Sequence, residues 1–162
     1  MKFSLTLMKI KLNLLLLTFI SCMLSISLFA QENPAATENI AVLRKFVHRL
    51  NDPDLATDII LSQDILTAKN LDEDQQEYLL ASIDEIRINV QSKDIRQLEY
   101  INFIAAGRKE TYDIDLEGID PQQVYFVRYL KRFVFAAVIR DKKIASFTLV
   151  SKGNNKAHFV FY

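Results

Sequence analysis

Apolar residues recur at helical intervals up to about residue 96, and alternate with polar ones afterwards. Ile40, Leu43, Phe46, Val47 and Leu50 return every three or four positions, which predicts a first helix with Thr37 as its cap and Asn51-Asp52-Pro53 as its stop. Asp54 is suited to cap a short second turn or helix. Ile59-Ile60-Leu61 and Ile65-Leu66 fit buried strand and buried helix equally well. The best-marked helix runs over 73–92. Asp72 and Gln75 have the spacing of a capping box, and Glu73, Asp74 and Glu77 put negative charge at the positive end of the helix dipole. Tyr78, Leu79, Ile83, Ile86 and Val90 then form its apolar stripe.

Past Arg96 the period is two. Residues 98–104 read as a strand, 105–110 as a hairpin loop turning at Gly107, and 112–117 as a half-buried strand on which Tyr112, Ile114 and Leu116 face inward. Gly118 and Asp120-Pro121 end that strand. From 124 to the last residue the pattern is almost all strand. Residues 124–140 contain neither Gly nor Pro, which favours one long bent strand over two strands turning near Leu130-Lys131-Arg132. Both faces of 133–139 are apolar, so this strand belongs in the middle of the sheet with both sides covered. Asp141-Lys142 predicts a turn into a strand over 143–151, and Lys152-Gly153-Asn154-Asn155 a turn into 157–162.

Helices first and strands afterwards predict an α+β fold, with N-terminal helices packed on a curved antiparallel sheet of four to six strands. This order resembles the NTF2-like (cystatin-like) cone, in which a curved sheet wraps a long helix. The resemblance covers residues 38–162, is one of topology, and transfers no site residue. The run Lys143-Ile144-Ala145-Ser146-Phe147-Thr148-Leu149-Val150-Ser151-Lys152-Gly153, with the ending Ala157-His158-Phe159-Val160-Phe161-Tyr162, is similar to uncharacterised exported proteins of Bacteroidetes-type bacteria. That likeness implies a compartment and no activity.

The first thirty residues change the picture of where the chain works. Lys2, Lys9 and Lys11 precede an uncharged apolar run over 12–29 that closes on Ala30, the order of a secretory signal peptide. Cleavage between Ala30 and Gln31 would leave a flexible leader, 31–37, and a single domain, 38–162, in the periplasm or outside the cell. A retained anchor is disfavoured by Asn13, Thr18, Ser21, Ser25 and Ser27 within the run. Cys22, the sole cysteine, would carry a lipid only under a lipoprotein reading, which Phe19 and the seven apolar-run residues beyond it oppose. The processed chain is thus expected to lack a thiol, a disulfide and a membrane span.

The zero formal charge conceals an asymmetry. Residues 31–120 hold 19 acids and 9 bases, whereas 121–162 hold 8 bases and one acid. Pairing between the halves accounts for this blandly; the functional alternative gathers Arg128, Lys131, Arg132, Arg140, Lys142, Lys143, Lys152 and Lys156 against an anionic ligand, glycan or lipid headgroup. Nucleic acid is not expected, because the domain is not basic as a whole.

Candidate chemistry is sparse. There are two histidines: His48 suits a helix C-terminus, and His158 alternates with Phe159 and Phe161 in the last strand, where it could meet a carboxylate across the sheet as an acid-base pair. Asp113, Asp115 and Glu117 form an acidic row without the turning backbone of a calcium loop, and Asp52, Asp54 and Asp58 fit a helix stop and cap better than a metal. No phosphate loop, nucleophile elbow or paired metal-ligating histidine occurs, so no metal or cofactor is expected. Aromatic residues crowd the strands, and the mouth of a cone would offer Tyr125, Tyr129, Arg128 and Phe147 to a small ligand. The expectation is an exported, non-enzymatic domain binding a small ligand or an envelope protein, with the sheet also open to a second copy of the chain. The rivals are a hydrolase or isomerase using His158 with a carboxylate, and a structural subunit of a cell-envelope assembly.

Overall fold

The computed structural model describes residues Pro34–Tyr162. The expected signal peptide with Cys22, its cleavage point and residues 31–33 of the leader lie outside the described residues. The fold is α+β. Helices α1 (Pro34–Asn51), α2 (Thr57–Asp64) and α3 (Glu73–Gln91) come first, and a one-turn helix, α4 (Arg108–Thr111), interrupts the strands. The strands are β1 (Leu98–Asn102), β2 (Ile114–Asp115), β3 (Val124–Tyr129), β4 (Arg132–Arg140), β5 (Lys143–Ser146), β6 (Leu149–Gly153) and β7 (Lys156–Phe159).

The α1 helix begins at Pro34, three residues before the expected cap, so Thr37 lies inside it. Proline at the first helical position has no N–H to lose, and Ala35-Ala36 favour continuation. Leu43, Phe46, Val47 and Leu50 are buried along one stripe. Helix α3 has the capping box as predicted: Asp72 accepts from the Gln75 backbone at 2.7 Å, and the Gln75 side chain accepts from the Asp72 backbone at 3.2 Å. Of its stripe Leu79, Ile83 and Val90 are buried, while Tyr78 is half exposed against the Tyr162 ring. The ambiguous 59–66 segment resolves into both forms, helix α2 and then a single parallel bridge between Ile65 and Ile144. Asp54 caps nothing there; α2 starts after Ala56.

The strands form two sheets. The larger has the order β1-β3-β4-β5, all antiparallel; the smaller has the order β2-β7-β6, with β2 parallel to β7. Strand β4 is interior, and Val134 through Ile139 are buried, as expected of a strand apolar on both faces. Phe135, Ala137 and Ile139 join Tyr125 and Val127 in a core with the three long helices. Ala136 and Val138 join Val124 and Phe126 in a second core with Phe159, Ile114 and Leu149 of the small sheet. The result is three layers: helices, large sheet, small sheet.

Four local expectations are corrected. Residues 124–140 are two strands, turning at Leu130-Lys131 with φ of 49° and 63°. The expected hairpin between β1 and the acidic strand does not form, because the Asn102 side chain accepts from the Ile104 backbone and donates to the carbonyls of Pro121, Gln122 and Val124, which ends β1 beside β3. Gly107 instead precedes α4. The acidic strand shrinks to two residues, since α4 takes 108–111 and Glu117-Gly118 turn with φ of 49° and 85°; Tyr112 is consequently exposed. Finally, 143–151 breaks at Phe147-Thr148, which carries the chain from the large sheet to the small one.

Candidate functional site

Three of the eight bases after residue 120 form ion pairs with acids of the first half. Lys142 meets Glu38 at 2.7 Å, and Lys152 bridges Asp115 and Glu117 at 2.7 Å each. Arg128 holds Glu110 at 2.8 Å with one guanidinium nitrogen and Glu99 at 2.9 Å with the other. Arg140 donates to Gln123 and lies over the Phe161 ring; Lys143 donates to the Ser62 carbonyl and Lys156 to that of Tyr112. Six of the eight bases after residue 120 are therefore engaged. The two whose side chains have no polar partner among the described residues are neighbours, Lys131 and Arg132.

His158 does meet a carboxylate, one of the outcomes the sequence allowed: Nδ1 stands 3.0 Å from Glu117 Oε2. In register, Asp115, His158 and Val150 sit side by side on the outer face of the small sheet. The hydrogen bond from Lys152 is the main cause holding both the Asp115 and Glu117 carboxyls below their ordinary range; for Glu117 the His158 contact comes second. Glu117 thus shares its two oxygens between His158 and Lys152, and its charge is committed to holding the surface of the small sheet together. Among the described residues no group of three or more His, Cys, Asp or Glu side chains is placed to hold a metal ion.

A cleft of about 360 Å³ opens at the end of the molecule where the two sheets part. Phe126 and Phe133 from the large sheet, Ile114, Leu149 and Ala157 from the small one, make its apolar floor. Lys109, Glu110 and Asp113 come from α4 and the link to β2, and Arg128 and Lys131 from the β3–β4 hairpin. Arg128 is anchored by its two glutamates, whereas the side chains of Lys109 and Lys131 have no ion-pair or hydrogen-bond partner among the described residues. A ligand entering here meets two aromatic rings, the cations of Lys109 and Lys131, and the carboxylate of Asp113, which is likewise unpaired among the described residues.

Of the four side chains expected at a cone mouth, Arg128 alone lines this cleft. Tyr125 is fully buried on the helix side, with its hydroxyl 3.4 Å from Asn39 Nδ2. Tyr129 packs on the same helical core, and Phe147 stacks at a tilt on Phe46 with ring centres 6.3 Å apart. Strand parity explains the division: Tyr125 and Val127 point toward the helices and Phe126 away from them. Lys109 and Glu110 carried no sequence signal, since the one-turn helix that presents them was not predicted. The chain matches no family model, no curated protein and no solved structure.

Proposed function

We propose that this chain is an exported binding domain whose inter-sheet cleft takes a small amphipathic anion. The observation that carries this reading is the pairing of an apolar floor with two cations, Lys109 and Lys131, that have no ion-pair partner among the described residues and outnumber the one unpaired carboxylate of the lining, Asp113. The volume lies in the range usual for small-molecule sites, and a few charged groups around an apolar lining is their usual composition. Export is supported by the basic, apolar and small-residue order of residues 1–30. Kinship with the NTF2-like cone is part of the proposal; it is supported by a long capped helix lying under an antiparallel sheet.

Calorimetric titration with decanoate, an acid with an apolar tail, tests this reading. Ala157→Phe, which fills the floor, should abolish the binding heat, and Lys109→Glu should weaken binding by about tenfold, as expected when an attractive contact at a partly exposed site becomes repulsive. His158→Ala should leave the affinity within a factor of two. Decanoate binding that survives Ala157→Phe would place the site elsewhere, and a turnover lost with His158→Ala in an intact fold would favour the hydrolase or isomerase alternative.

A further inference from the structure

Among the described residues, three two-residue hairpin turns have positive φ at both central residues. This conformation matches the twist of the flanking strands but crowds a Cβ, so asparagine, aspartate and glycine are the usual occupants. The β6–β7 turn obeys with Asn154-Asn155, at 51° and 56°, and the β4–β5 turn half obeys with Asp141-Lys142, at 49° and 59°. The β3–β4 turn does not, because it places Leu130 at 49° and Lys131 at 63°. An aliphatic side chain held in that region, and left 62% exposed, gains nothing from packing that would offset its strain.

The two residues that follow the turn are exposed as well. Arg132 follows the turn directly, opposite Tyr129, and Phe133 is next, 58% exposed with only its edge against the Phe126 ring. The hairpin end therefore presents two large apolar side chains and two bases, and these are the two of the eight bases after residue 120 whose side chains have no partner among the described residues. Lys109, also without a partner, lies across the cleft from Lys131.

We propose that the Leu130-Lys131-Arg132-Phe133 tip docks the protein on the surface of an anionic lipid bilayer. Leu130 and Phe133 would enter the boundary between headgroups and acyl chains, while Lys131, Arg132 and Lys109 stay at the level of the phosphates, the arrangement by which amphipathic elements hold to membranes. An acidic protein is the less fitting occupant, since a stable protein interface engages some 20 to 30 residues on each side and the tip offers four. A bilayer requires no shape complementarity, and a compact pair of apolar side chains with basic neighbours suffices for reversible attachment. This inference goes beyond the cleft proposal and requires no ligand in the cleft, although Lys109, Lys131 and Phe133 line that cleft as well.

The test uses the full chain with Cys22→Ser and Leu130→Cys, carrying the environment-sensitive dye NBD at position 130, so that the signal comes from the tip whatever the N-terminal segment does. Vesicles of phosphatidylcholine alone are compared with vesicles containing about a third phosphatidylglycerol. A blue shift in NBD emission is expected with the anionic vesicles only, reversed by 0.5 M salt on the order of the screening that such concentrations impose. In the same labelled chain, Lys131→Glu with Arg132→Glu should lower the apparent partition coefficient by about thirtyfold or more, given roughly fivefold for each basic residue lost near the surface and added repulsion from each acid introduced. Phe133→Ser in an otherwise unaltered tip should weaken it independently of salt. No shift on anionic vesicles overturns the proposal, as does an equal shift on neutral ones. A shift without vesicles that grows with protein concentration would show self-association through the tip instead. An equal shift with soluble polyglutamate would show an acidic polypeptide partner, and either result also overturns the membrane assignment.

Discussion

Exchanging Leu130-Lys131 for Asn-Gly should make the domain more stable while removing its most exposed aliphatic tip residue. Leu130 has φ of 49° and is 62% exposed, so the substitution relieves crowding at its Cβ without opening a cavity. Holding a residue with a side chain in the left-handed region costs about 1 to 2 kcal/mol, and asparagine tolerates it best after glycine. Lysine 131, at 63°, gains similar relief from glycine, offset by the roughly 0.4 to 1 kcal/mol that glycine's freedom costs the folded state relative to the unfolded one. The net gain is about 1 to 2 kcal/mol, which in a domain of this size raises Tm by about 3 to 6 °C. Calorimetric unfolding of the paired proteins measures it, with Asn154-Asn155→Asn-Gly as the internal comparison, since that turn already has favourable occupants and should move little. Unchanged or lowered stability on replacing Leu130-Lys131, with a normal response at the comparison turn, would refute the claim that the tip is strained. It would remove one of the supports for its having a role outside the fold.

Two further outcomes follow from buried and surface charge. Asp64 is almost wholly buried at the end of α2, 3.0 Å from Lys45 Nζ and 2.5 Å from Arg49 Nε; the latter contact lacks hydrogen-bond alignment, so its attraction is coulombic. Asp64→Asn leaves the partly buried Arg49 without its countercharge and should cost about 1 to 3 kcal/mol in urea unfolding, less than the roughly 3 to 5 kcal/mol of a fully buried pair because Lys45 lies largely in water and Arg49 keeps its hydrogen bond to Gln63; a loss below about 0.3 kcal/mol would count against the pair's joining α1 to α2. Lys152 lowers the pKa of Asp115 and of Glu117, chiefly by hydrogen bonding, and its own is raised by the same contacts. Stability from the lowered carboxyls is complete above their ordinary values of 3.8 and 4.5 and is lost as pH falls through the depressed folded values. Stability from the raised ammonium is complete below its ordinary 10.5 and is lost as pH rises through the folded value. The difference in urea midpoint between the parent and Lys152→Met should be level from about pH 6 to 9 and shrink toward both extremes; a difference that widens on acidification would contradict the assignment.

Sequence reading found α1, α3 and the doubly buried β4 because each rests on a long apolar repeat or a complete capping box. It missed the β3–β4 turn for the reason that now makes the turn informative: Leu130-Lys131 are the wrong residues for that backbone, and rules built on favourable residues pass over strained ones. The two-sheet division was hidden at Phe147-Thr148, where no glycine or proline announces a break and only tertiary packing decides which sheet each half joins. The charge asymmetry was legible as a count, but not which bases would be left over, because that depends on pairings such as Lys142 with Glu38 and Lys152 with Glu117 that join distant parts of the chain. The cleft was illegible for a similar reason, as its lining comes from both sheets and from a one-turn helix too short to have a period.

The small sheet closes through contacts between remote segments: Ala157 donates to the Asp113 carbonyl, and Tyr162 accepts from Ala68. Such pairings must await residues 157–162, so during synthesis the helices and the β3–β4 hairpin are available to organise first, with Val124, Phe126, Ala136 and Val138 still bare on one side. The same order, read in reverse, makes the β2-β7-β6 layer the part expected to open with least work, and amide protons there should exchange with solvent ahead of those in β3 and β4.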